Sequence, residues 1–318
     1  MSIPNVSLRR LAHRDNAEAY RNEVATLASA CSDWGFAYLD DLEDTSILDE
    51  ILQTASTFFA IPPEEKMKLA MRKYRPENSN RYRGFFPTAA GSHALKEGVD
   101  FGWQSYEPTD SEYFFDCSSE LPPCEYTKGW SDIVNRYYAN QLDIGRVLLQ
   151  AFESHFDLEA GYFTSKFKNT LSTLRFLHYP VIDGQTDTSG LECDEGEYFT
   201  TPAHTDSGVV TLLLQDQSGG LQVRNSNGAW TDVAPIAGSL IMNIGNLLER
   251  WTNGEFKATE HRVRAPKTSR LSVPFFFEPE GKAKIEPFSG TGSFEPITYE
   301  AYLAERLKGF VEYQDLDL

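Results

Sequence analysis

A histidine and an aspartate separated by one residue are the first chemically informative feature of this sequence. The pair, His204 and Asp206, stands immediately before an aliphatic and β-branched run from Val209 to Leu214, which predicts a buried strand. If the extended backbone begins near His204, side chains two positions apart point to the same face, so the imidazole and the carboxylate share one space. Together they supply two ligands of a predicted metal site.

A third ligand is predicted at His261, which begins the strand-like sequence His261-Arg262-Val263. In a jelly roll, strands distant in sequence lie side by side, so this imidazole can converge with the first two ligands. Two imidazoles and one carboxylate that leave several coordination positions open describe the facial triad of non-haem Fe(II) oxygen chemistry. The alternative metal is zinc, which would be tetrahedral with one open position and would activate water, as in a hydrolase.

An arginine and a serine, Arg270 and Ser272, alternate along the next predicted strand and therefore share a face. A guanidinium fork gives a carboxylate two charge-assisted hydrogen bonds and the hydroxyl adds a third, so the pair predicts a carboxylate clamp. Tyr179, on a neighbouring strand-like segment, is expected to supply a further hydroxyl. The alternative interpretation is a surface arginine beside an ordinary polar residue.

The elements that must hold these side chains change in character along the chain. Apolar residues at helical spacing predict an amphipathic helix over Glu18 to Trp34 and a second helix that Thr45 caps. Residues 72–128 are irregular in pattern and rich in Pro, Gly and aromatics, which is typical of the wall or lid of a site. Further helices are predicted over Trp130 to Phe152 and Thr298 to Phe310.

From Leu171 onward, short strands separated by Gly and Asn-Gly turns predict a β-barrel or a double-sheet jelly roll. The expected fold class is therefore mixed α and β, with a jelly-roll core, a helical N-terminal region and a C-terminal helix. Because no flexible linker divides the two halves, we expect one compact unit.

Composition limits the expected partners. The chain has 318 residues, is 41% hydrophobic and carries a formal net charge of −18. Such an acidic surface repels phosphate backbones and anionic lipid, so neither nucleic acid nor membrane is an expected partner, and no obligate protein partner is evident. The four cysteines are expected to be reduced, a bridge between Cys117 and Cys124 being the less favoured alternative. With no signal-peptide pattern and no apolar run of transmembrane length, the expected location is cytoplasmic.

The combined motifs resemble those of one family. His204-Thr205-Asp206, His261 and Arg270-Leu271-Ser272 are similar to the His-X-Asp, His and Arg-X-Ser pattern of Fe(II)/2-oxoglutarate-dependent dioxygenases. The chain looks most like the branch that includes isopenicillin N synthase and the plant flavonoid and hormone oxygenases, and the likeness covers nearly the whole chain. Further stretches that carry the likeness are Trp34-Gly35-Phe36-Ala37-Tyr38, the segment Phe58 to Lys66, Gly219-Gly220-Leu221-Gln222-Val223, Gly238-Ser239-Leu240-Ile241 and Asn243-Ile244-Gly245.

The resemblance implies a double-stranded β-helix with iron near the mouth of the barrel. It implies Fe(II) ligands at His204, Asp206 and His261. It implies that the distal carboxylate of 2-oxoglutarate is held by Arg270, Ser272 and Tyr179. Residues 1–128 would form an N-terminal region of the non-haem dioxygenase type, and residues 129–318 a long helix plus the dioxygenase core. The sequence departs from the plant members at Leu177, where they commonly carry asparagine.

The implied activity is oxidation of an unactivated C–H bond of a small molecule in specialised metabolism, by hydroxylation, desaturation or oxidative cyclisation. Dioxygen is the oxidant, and 2-oxoglutarate is converted to succinate and carbon dioxide. Two alternatives stay open. In isopenicillin N synthase the Arg-X-Ser pair holds the substrate's own carboxylate and no 2-oxoglutarate is used. The chain could also be a catalytically silent binding protein.

Substrate contacts are predicted at two positions. Arg83 lies within the aromatic-rich irregular segment and is expected to bind a substrate carboxylate, the alternative being a salt bridge with one of the chain's many acids. Phe276 alternates with Ser272 and is expected to line the site, whereas Phe275 and Phe277 face the other side. No motif encodes the identity of the substrate.

Overall fold

The computed structural model of the protein describes residues 2–89, 91–104, 129–288 and 294–309. The helices in this part of the chain are α1 (Leu8–Ala12), α2 (Ala17–Asp33), α3 (Ser46–Phe59), α4 (Pro63–Lys66), α5 (Trp130–His155), α6 (Asn246–Trp251) and α7 (Tyr299–Leu307). Helix α2 confirms the predicted amphipathic helix. Asn16 accepts a hydrogen bond from the Ala19 N–H at its start, and Gly35 adopts a φ of 64° just beyond its end.

Three details of the helices differ from the sequence prediction. Helices α1 and α6 were not predicted, because five and six residues are too few to show helical periodicity. Thr45 makes no capping hydrogen bond at the start of α3; Asp44 accepts from the Ser46 N–H at 2.9 Å instead. Helix α5 continues to His155, one turn beyond the predicted end.

The strands form two large sheets and one small one. Their bounds are β1 (Asn5–Ser7), β2 (Phe36–Asp40), β3 (Phe85–Phe86), β4 (Glu97–Phe101), β5 (Thr173–Tyr179), β6 (Glu192–Asp194), β7 (Glu197–His204), β8 (Val210–Gln215), β9 (Leu221–Arg224), β10 (Trp230–Asp232), β11 (Leu240–Ile244), β12 (His261–Arg264), β13 (Arg270–Phe277), β14 (Lys284–Ile285) and β15 (Ile297–Thr298). The eight-stranded sheet has the order β1-β2-β11-β8-β13-β5-β4-β3, and the five-stranded sheet has the order β10-β9-β12-β7-β6. Strands β14 and β15 pair separately.

The two large sheets are the faces of the predicted jelly roll, and a cavity of about 260 Å³ lies between them. Side chains of β5 and β13 line it from the eight-stranded sheet, and side chains of β7 and β12 line it from the five-stranded sheet. Helices α3 and α5 pack on the opposite face of the large sheet, against β13. This packing buries aromatic side chains such as Phe58, Tyr138 and Phe275, each of which stabilises the fold by roughly 1.5–3 kcal/mol.

Part of the segment predicted to be irregular is sheet. Strands β3 and β4 pair with each other, and β4 pairs with β5 of the core. The prediction was wrong here because β3 has only two residues and β4 carries Gly98, and both features weaken the period-2 signal. Residues 105–128, with Cys117 and Cys124, and Phe310 lie outside the described residues.

The N-terminal strands complete the core sheet: β2 pairs with β11, and β1 pairs with β2. The N-terminal region therefore extends the jelly roll directly, and the division into 1–128 and 129–318 stays a prediction. Within the described ranges, none of the helices has the length and apolar character needed to cross a membrane.

Candidate active site

Three predicted metal ligands converge at one end of the cavity. His204 ends β7, His261 begins β12, and the two are paired in register across these strands. Asp206 Oδ1 lies 3.8 Å from His204 Nε2 and 3.7 Å from His261 Nε2. All three ligand atoms lie within 4.8 Å of one another, so one ion can contact all of them.

The prediction that His204 and Asp206 share one face of an extended strand was wrong. The strand ends at His204, and Asp206 lies in the loop between β7 and β8. The N-terminus of α6 holds this loop instead: the Asn246 N–H donates to the Asp206 carbonyl at 2.8 Å, and the Leu247 N–H donates to the Ser207 carbonyl at 3.2 Å. Free N–H groups at the start of a helix are suited to this task because they have no partner within the helix.

Gly245, which immediately precedes α6, makes this approach sterically feasible. A Cβ atom at this position would lie 2.1 Å from the Gly208 carbonyl oxygen, well inside van der Waals contact. The backbone of the ligand-bearing loop therefore rests directly on a glycine. This explains physically why the stretch Asn243-Ile244-Gly245, far from the triad in sequence, belongs to the site.

In each triad histidine, a hydrogen bond at Nδ1 determines that Nε2 faces the site. His204 Nδ1 lies 3.0 Å from the Pro202 carbonyl oxygen, and His261 Nδ1 lies 3.1 Å from the Thr259 carbonyl oxygen. Because a carbonyl oxygen only accepts hydrogen bonds, we assign the hydrogen to Nδ1 in both rings. This leaves both Nε2 lone pairs directed at the site, as metal-binding histidines require.

The environment also favours the protonation states that a metal needs. Burial, together with the neighbouring His261, lowers the pKa of His204 well below its ordinary value, so this imidazole is neutral at physiological pH. Burial alone would raise the pKa of Asp206. The two histidines and hydrogen bonds from Thr211 and Asn243 outweigh that effect and hold the pKa below its usual value.

These donors fit a divalent iron ion. Two imidazoles and an ionised carboxylate gathered on one side of a cavity match the facial arrangement used by non-haem Fe(II) enzymes. The other Asp206 oxygen, Oδ2, accepts hydrogen bonds from Thr211 Oγ1 at 2.5 Å and Asn243 Nδ2 at 2.7 Å. Oδ1 is therefore the oxygen presented to the metal. Thr211 and Asn243 were not predicted, because their role depends on contacts between strands.

We expect Thr211→Val to weaken metal binding by roughly 10- to 100-fold, because loss of a hydrogen bond that orients a metal ligand typically has this effect. Valine has nearly the same shape as threonine but cannot donate to Asp206. The measurement is the dissociation constant of Mn²⁺ or Fe²⁺ for the purified protein, obtained by anaerobic calorimetry.

The matched control is Thr200→Val, which removes a buried hydroxyl from β7 that donates to the Val263 carbonyl. This control should leave the metal dissociation constant near the wild-type value. An equal loss of affinity in both variants would show that any buried hydroxyl matters and would reject a specific role for Thr211.

The predicted carboxylate clamp lies on the large sheet, across the cavity from β7 and β12. Arg270 pairs in register with Tyr179, and its guanidinium lies 4.6 Å from the centre of the tyrosine ring. Its Nε donates to the Gly219 carbonyl at 2.8 Å and its Nη2 donates to Gln215 at 3.2 Å. The Nη1 group is buried and has no hydrogen-bond partner among the described residues. A buried guanidinium nitrogen without a partner fits an anionic ligand, since leaving such a donor unpaired is costly.

Hydroxyl groups line the cavity near the Arg270 guanidinium. Ser272 and Tyr179 are buried and line the cavity with Thr201, and the hydroxyls of Ser272 and Thr201 lie within reach of the phenol. Burial would raise the pKa of Tyr179, but the nearby cations Lys96 and Arg270 hold it below its usual value. The cluster is thus positive and rich in donors, which suits a carboxylate. Leu177 also lines the cavity, so its difference from asparagine changes the polarity of this wall.

Of the two predicted substrate contacts, the structure brings one to the cavity. Phe276 lines it, as the alternation with Ser272 predicted, and Phe275 and Phe277 lie buried in the core. Arg83 is buried and is not among the residues that line this cavity. Its Nη2 donates to the Leu171 carbonyl at 2.8 Å. This placement does not support direct substrate binding by Arg83, because its guanidinium is directed at backbone carbonyls.

A different arginine, Arg175, lines the cavity. It forms a bidentate pair with Asp100, with distances of 2.6 and 2.7 Å, and its guanidinium lies 5.1 Å from the Phe86 ring and 5.3 Å from the Phe276 ring. Arg175 was missed, although an available signal could have found it. Thr173, Arg175, Leu177 and Tyr179 alternate along β5 and all line the cavity, as period 2 requires.

Glu278, directly after β13, is a further cavity residue that was not predicted. Burial raises the pKa of its carboxyl from 4.5 to about 7. Its Oε2 and the Tyr299 hydroxyl have no hydrogen-bond partner of good geometry among the described residues, although the two groups lie close enough to shift each other's pKa. Continuing the alternation Arg270, Ser272, Phe276 by two positions would have identified it.

We expect Glu278→Gln to stabilise the metal-free protein at pH 8 but not near pH 4.5. Because the folded-state pKa is raised, the native state holds a proton that the unfolded state releases, so the stability linked to Glu278 falls as pH rises from 4.5 to about 7. The full shift corresponds to roughly 3 kcal/mol, and glutamine removes that loss. Urea unfolding of the wild type and the variant at the two pH values measures it.

The matched control is Glu305→Gln on the exposed side of α7, which should change the free energy of unfolding equally little at both pH values. If Glu278→Gln shifted stability by the same amount at pH 4.5 and pH 8, the raised pKa of Glu278 would be contradicted.

Comparison with known proteins agrees with this geometry. Residues 172–279 match the 2OG-Fe(II) oxygenase superfamily, and residues 3–124 match the N-terminal region described as non-haem dioxygenase in morphine synthesis. A probable iron/ascorbate oxidoreductase of Dictyostelium discoideum is 31% identical over 80% of this chain and 74% of its own length. The naringenin,2-oxoglutarate 3-dioxygenase of Matthiola incana is 30% identical over 99% of this chain and 83% of its own length.

Solved structures show the same fold. A full-length Neurospora crassa protein, solved in complex with alpha-KG and thymine, superposes with a TM-score of 0.82, at 24% identity over 96% of both chains. A putative 2OG-Fe(II) oxygenase family protein of Caulobacter crescentus has a TM-score of 0.77 at 26% identity, over 97% of this chain and 99% of its own.

The chain therefore belongs to the 2OG-Fe(II) oxygenase superfamily. It is an Fe(II)- and 2-oxoglutarate-dependent oxidoreductase that uses dioxygen to oxidise a small molecule. Its use of 2-oxoglutarate argues against the isopenicillin N synthase-like alternative, in which the Arg-X-Ser pair holds the carboxylate of the substrate.

Proposed function

We propose that His204, Asp206 and His261 hold the Fe(II) ion, and that Arg270, Ser272 and Tyr179 bind the distal carboxylate of 2-oxoglutarate. The observation that carries this proposal is the pairing of two incomplete sites across one cavity. One is a set of three ligand atoms within 4.8 Å. The other is a buried guanidinium whose Nη1 has no partner within the described residues.

The residues of the chain orient the reactants and exclude water. When bound, the iron with dioxygen and 2-oxoglutarate supplies the oxidising power, as 2-oxoglutarate is split into succinate and carbon dioxide. The clamp on β13 would hold one end of the cosubstrate, and His204, Asp206 and His261 would hold the iron that the other end chelates. Buried apolar side chains such as Leu221 and Val263 line the space between and keep bulk water out.

The substrate side is proposed to accept a compact molecule with polar groups. Phe86 and Phe276 supply apolar faces, and Arg175, Asp100 and Glu278 supply hydrogen-bonding groups within the same cavity. Relatives include a naringenin,2-oxoglutarate 3-dioxygenase and the 2-oxoglutarate-dependent dioxygenase citB of Monascus ruber. By analogy we propose a substrate of specialised metabolism. A cytoplasmic location stays a prediction.

The proposal is tested by adding 2-oxoglutarate anaerobically to the Fe(II)-loaded protein. Chelation of the iron should produce a weak visible charge-transfer band, and His204→Ala should abolish it. A screen of candidate substrates, scored by dioxygen-dependent succinate release above the rate without substrate, then identifies the substrate. A wild-type protein that bound Fe(II) but gave no band and had no affinity for 2-oxoglutarate would contradict the proposed roles.

A further inference from the structure

A lysine that no sequence motif singles out reaches the cosubstrate end of the cavity. Lys96 lies just before β4 and lines the cavity beside Tyr179 and Thr201. Its Nζ lies 3.4 Å from Thr201 Oγ1, and Thr201 is within hydrogen-bonding reach of the Tyr179 hydroxyl. The ammonium group therefore continues the row of donors formed by Ser272, Tyr179 and Thr201.

Lys96 and Arg270 both line the cavity without an acidic partner among the described residues. Among the described residues neither forms an ion pair, and the partners of Arg270 are a backbone carbonyl and the neutral Gln215. Two other cations of this region are neutralised: Lys66 lies 2.6 Å from Glu97, and Arg175 is paired with Asp100.

The chain has 47 acidic and 29 basic residues, so acids are plentiful elsewhere. Two positive charges without an acidic partner, one on each side of Tyr179, make a site that attracts an anionic group of a ligand. Burial would raise the pKa of Tyr179, but these two positive charges help to hold it below its usual value.

We propose that Lys96 is a second cationic contact for the distal carboxylate of the cosubstrate, so that Lys96 and Arg270 together select a dicarboxylic 2-oxo acid. This inference rests on the proposed function, because it takes the Arg270 clamp as the cosubstrate end. Arg270 supplies the planar fork from β13, and Lys96 approaches from β4 on the far side of the tyrosine. The flexible lysine stem lets the ammonium follow the carboxylate as it enters.

The test compares two ligands that differ only at the distal end. 2-Oxoglutarate and 2-oxopentanoate have the same chain length, but the second lacks the distal carboxylate. Anaerobic titration of the Fe(II)-loaded protein, followed by the charge-transfer band and by calorimetry, gives a dissociation constant for each. Lys96→Met should raise the 2-oxoglutarate constant about tenfold, because a hydrogen bond to a charged group is lost. The same variant should leave the dissociation constant of 2-oxopentanoate, which binds more weakly, unchanged.

Lys96→Arg should recover most of the affinity, since it keeps the charge. The control Lys168→Met, at an exposed lysine, should bind both ligands like the wild type. Mn²⁺ affinity and thermal unfolding of each variant report whether the fold and the metal site are intact.

Every other outcome separates the proposals. Equal weakening of both ligands by Lys96→Met would place the lysine at the chelating end and overturn the inference. No change for either ligand would also overturn it, and would leave Lys96 to the substrate. Failure of the wild-type protein to bind 2-oxoglutarate more tightly than 2-oxopentanoate would instead contradict the proposed role of the Arg270 clamp.

Discussion

Replacing His261 with alanine should lower dioxygen-dependent succinate formation by at least about 100-fold and should reduce bound iron well below one ion per chain. Loss of a group that merely orients a metal ligand costs 10- to 100-fold, so loss of a ligand should cost no less. His261 is buried on β12 and directs Nε2 at the site, and no other described histidine belongs to the cluster of ligand atoms besides His204. Metal analysis and a succinate assay on the same preparations measure both effects.

His155→Ala is the matched control. His155 ends α5, packs on Phe256 and lies 3.5 Å from Glu255, away from the triad. This variant should keep its iron and its succinate formation even if it loses some stability. Full iron occupancy and activity in His261→Ala would remove His261 from the metal site, and equal losses in the two variants would indicate a general effect on folding.

Replacing Arg270 with leucine should raise the dissociation constant of 2-oxoglutarate by on the order of 100-fold. Truncating one partner of a buried charged pair typically costs about 2–5 kcal/mol, and about 1.4 kcal/mol corresponds to a factor of ten. Arg270 is 1% exposed, so water cannot replace the lost contact. The charge-transfer titration measures the constant directly, and Mn²⁺ affinity should stay near the wild-type value because Arg270 is not a metal ligand.

Arg270→Lys separates the effect of the positive charge from the effect of the guanidinium geometry. It keeps the positive charge but loses the bidentate fork and the hydrogen bonds to Gly219 and Gln215, so its affinity should lie between those of the wild type and Arg270→Leu. The control is Arg224→Leu, a half-exposed arginine paired with Glu260 on the protein surface. Wild-type affinity for 2-oxoglutarate in Arg270→Leu would show that the clamp lies elsewhere.

Sequence reasoning could predict those site residues that alternate along a single strand. Arg270, Ser272 and Phe276 share a face of β13 because side chains in any strand alternate, and this alternation can be read without a structure. The same rule would have found Arg175 and Glu278 had it been applied along the whole of β5 and past the end of β13.

Arg83 shows the opposite case. Its residue type and aromatic surroundings fitted a carboxylate site, but a guanidinium binds backbone carbonyls as readily as it binds a substrate. The choice depends on which strand end it meets, here the carbonyls of Leu171 and Ser172. Nothing local to Arg83 encodes that encounter, since it joins segments that lie far apart in the chain.

The sequence by itself determined the donor types of the site: two imidazoles, a carboxylate, and a guanidinium with a hydroxyl on one strand. It also determined the jelly-roll class, because strand alternation and turn residues are local properties. Tertiary structure alone decided that Asp206 is placed by the N-terminus of α6, that Gly245 lets that helix approach, and that Lys96 lies beside Thr201. The physical reason is that hydrogen bonding and charge act through space, and the pairing of the sheets brings together residues with no local relation.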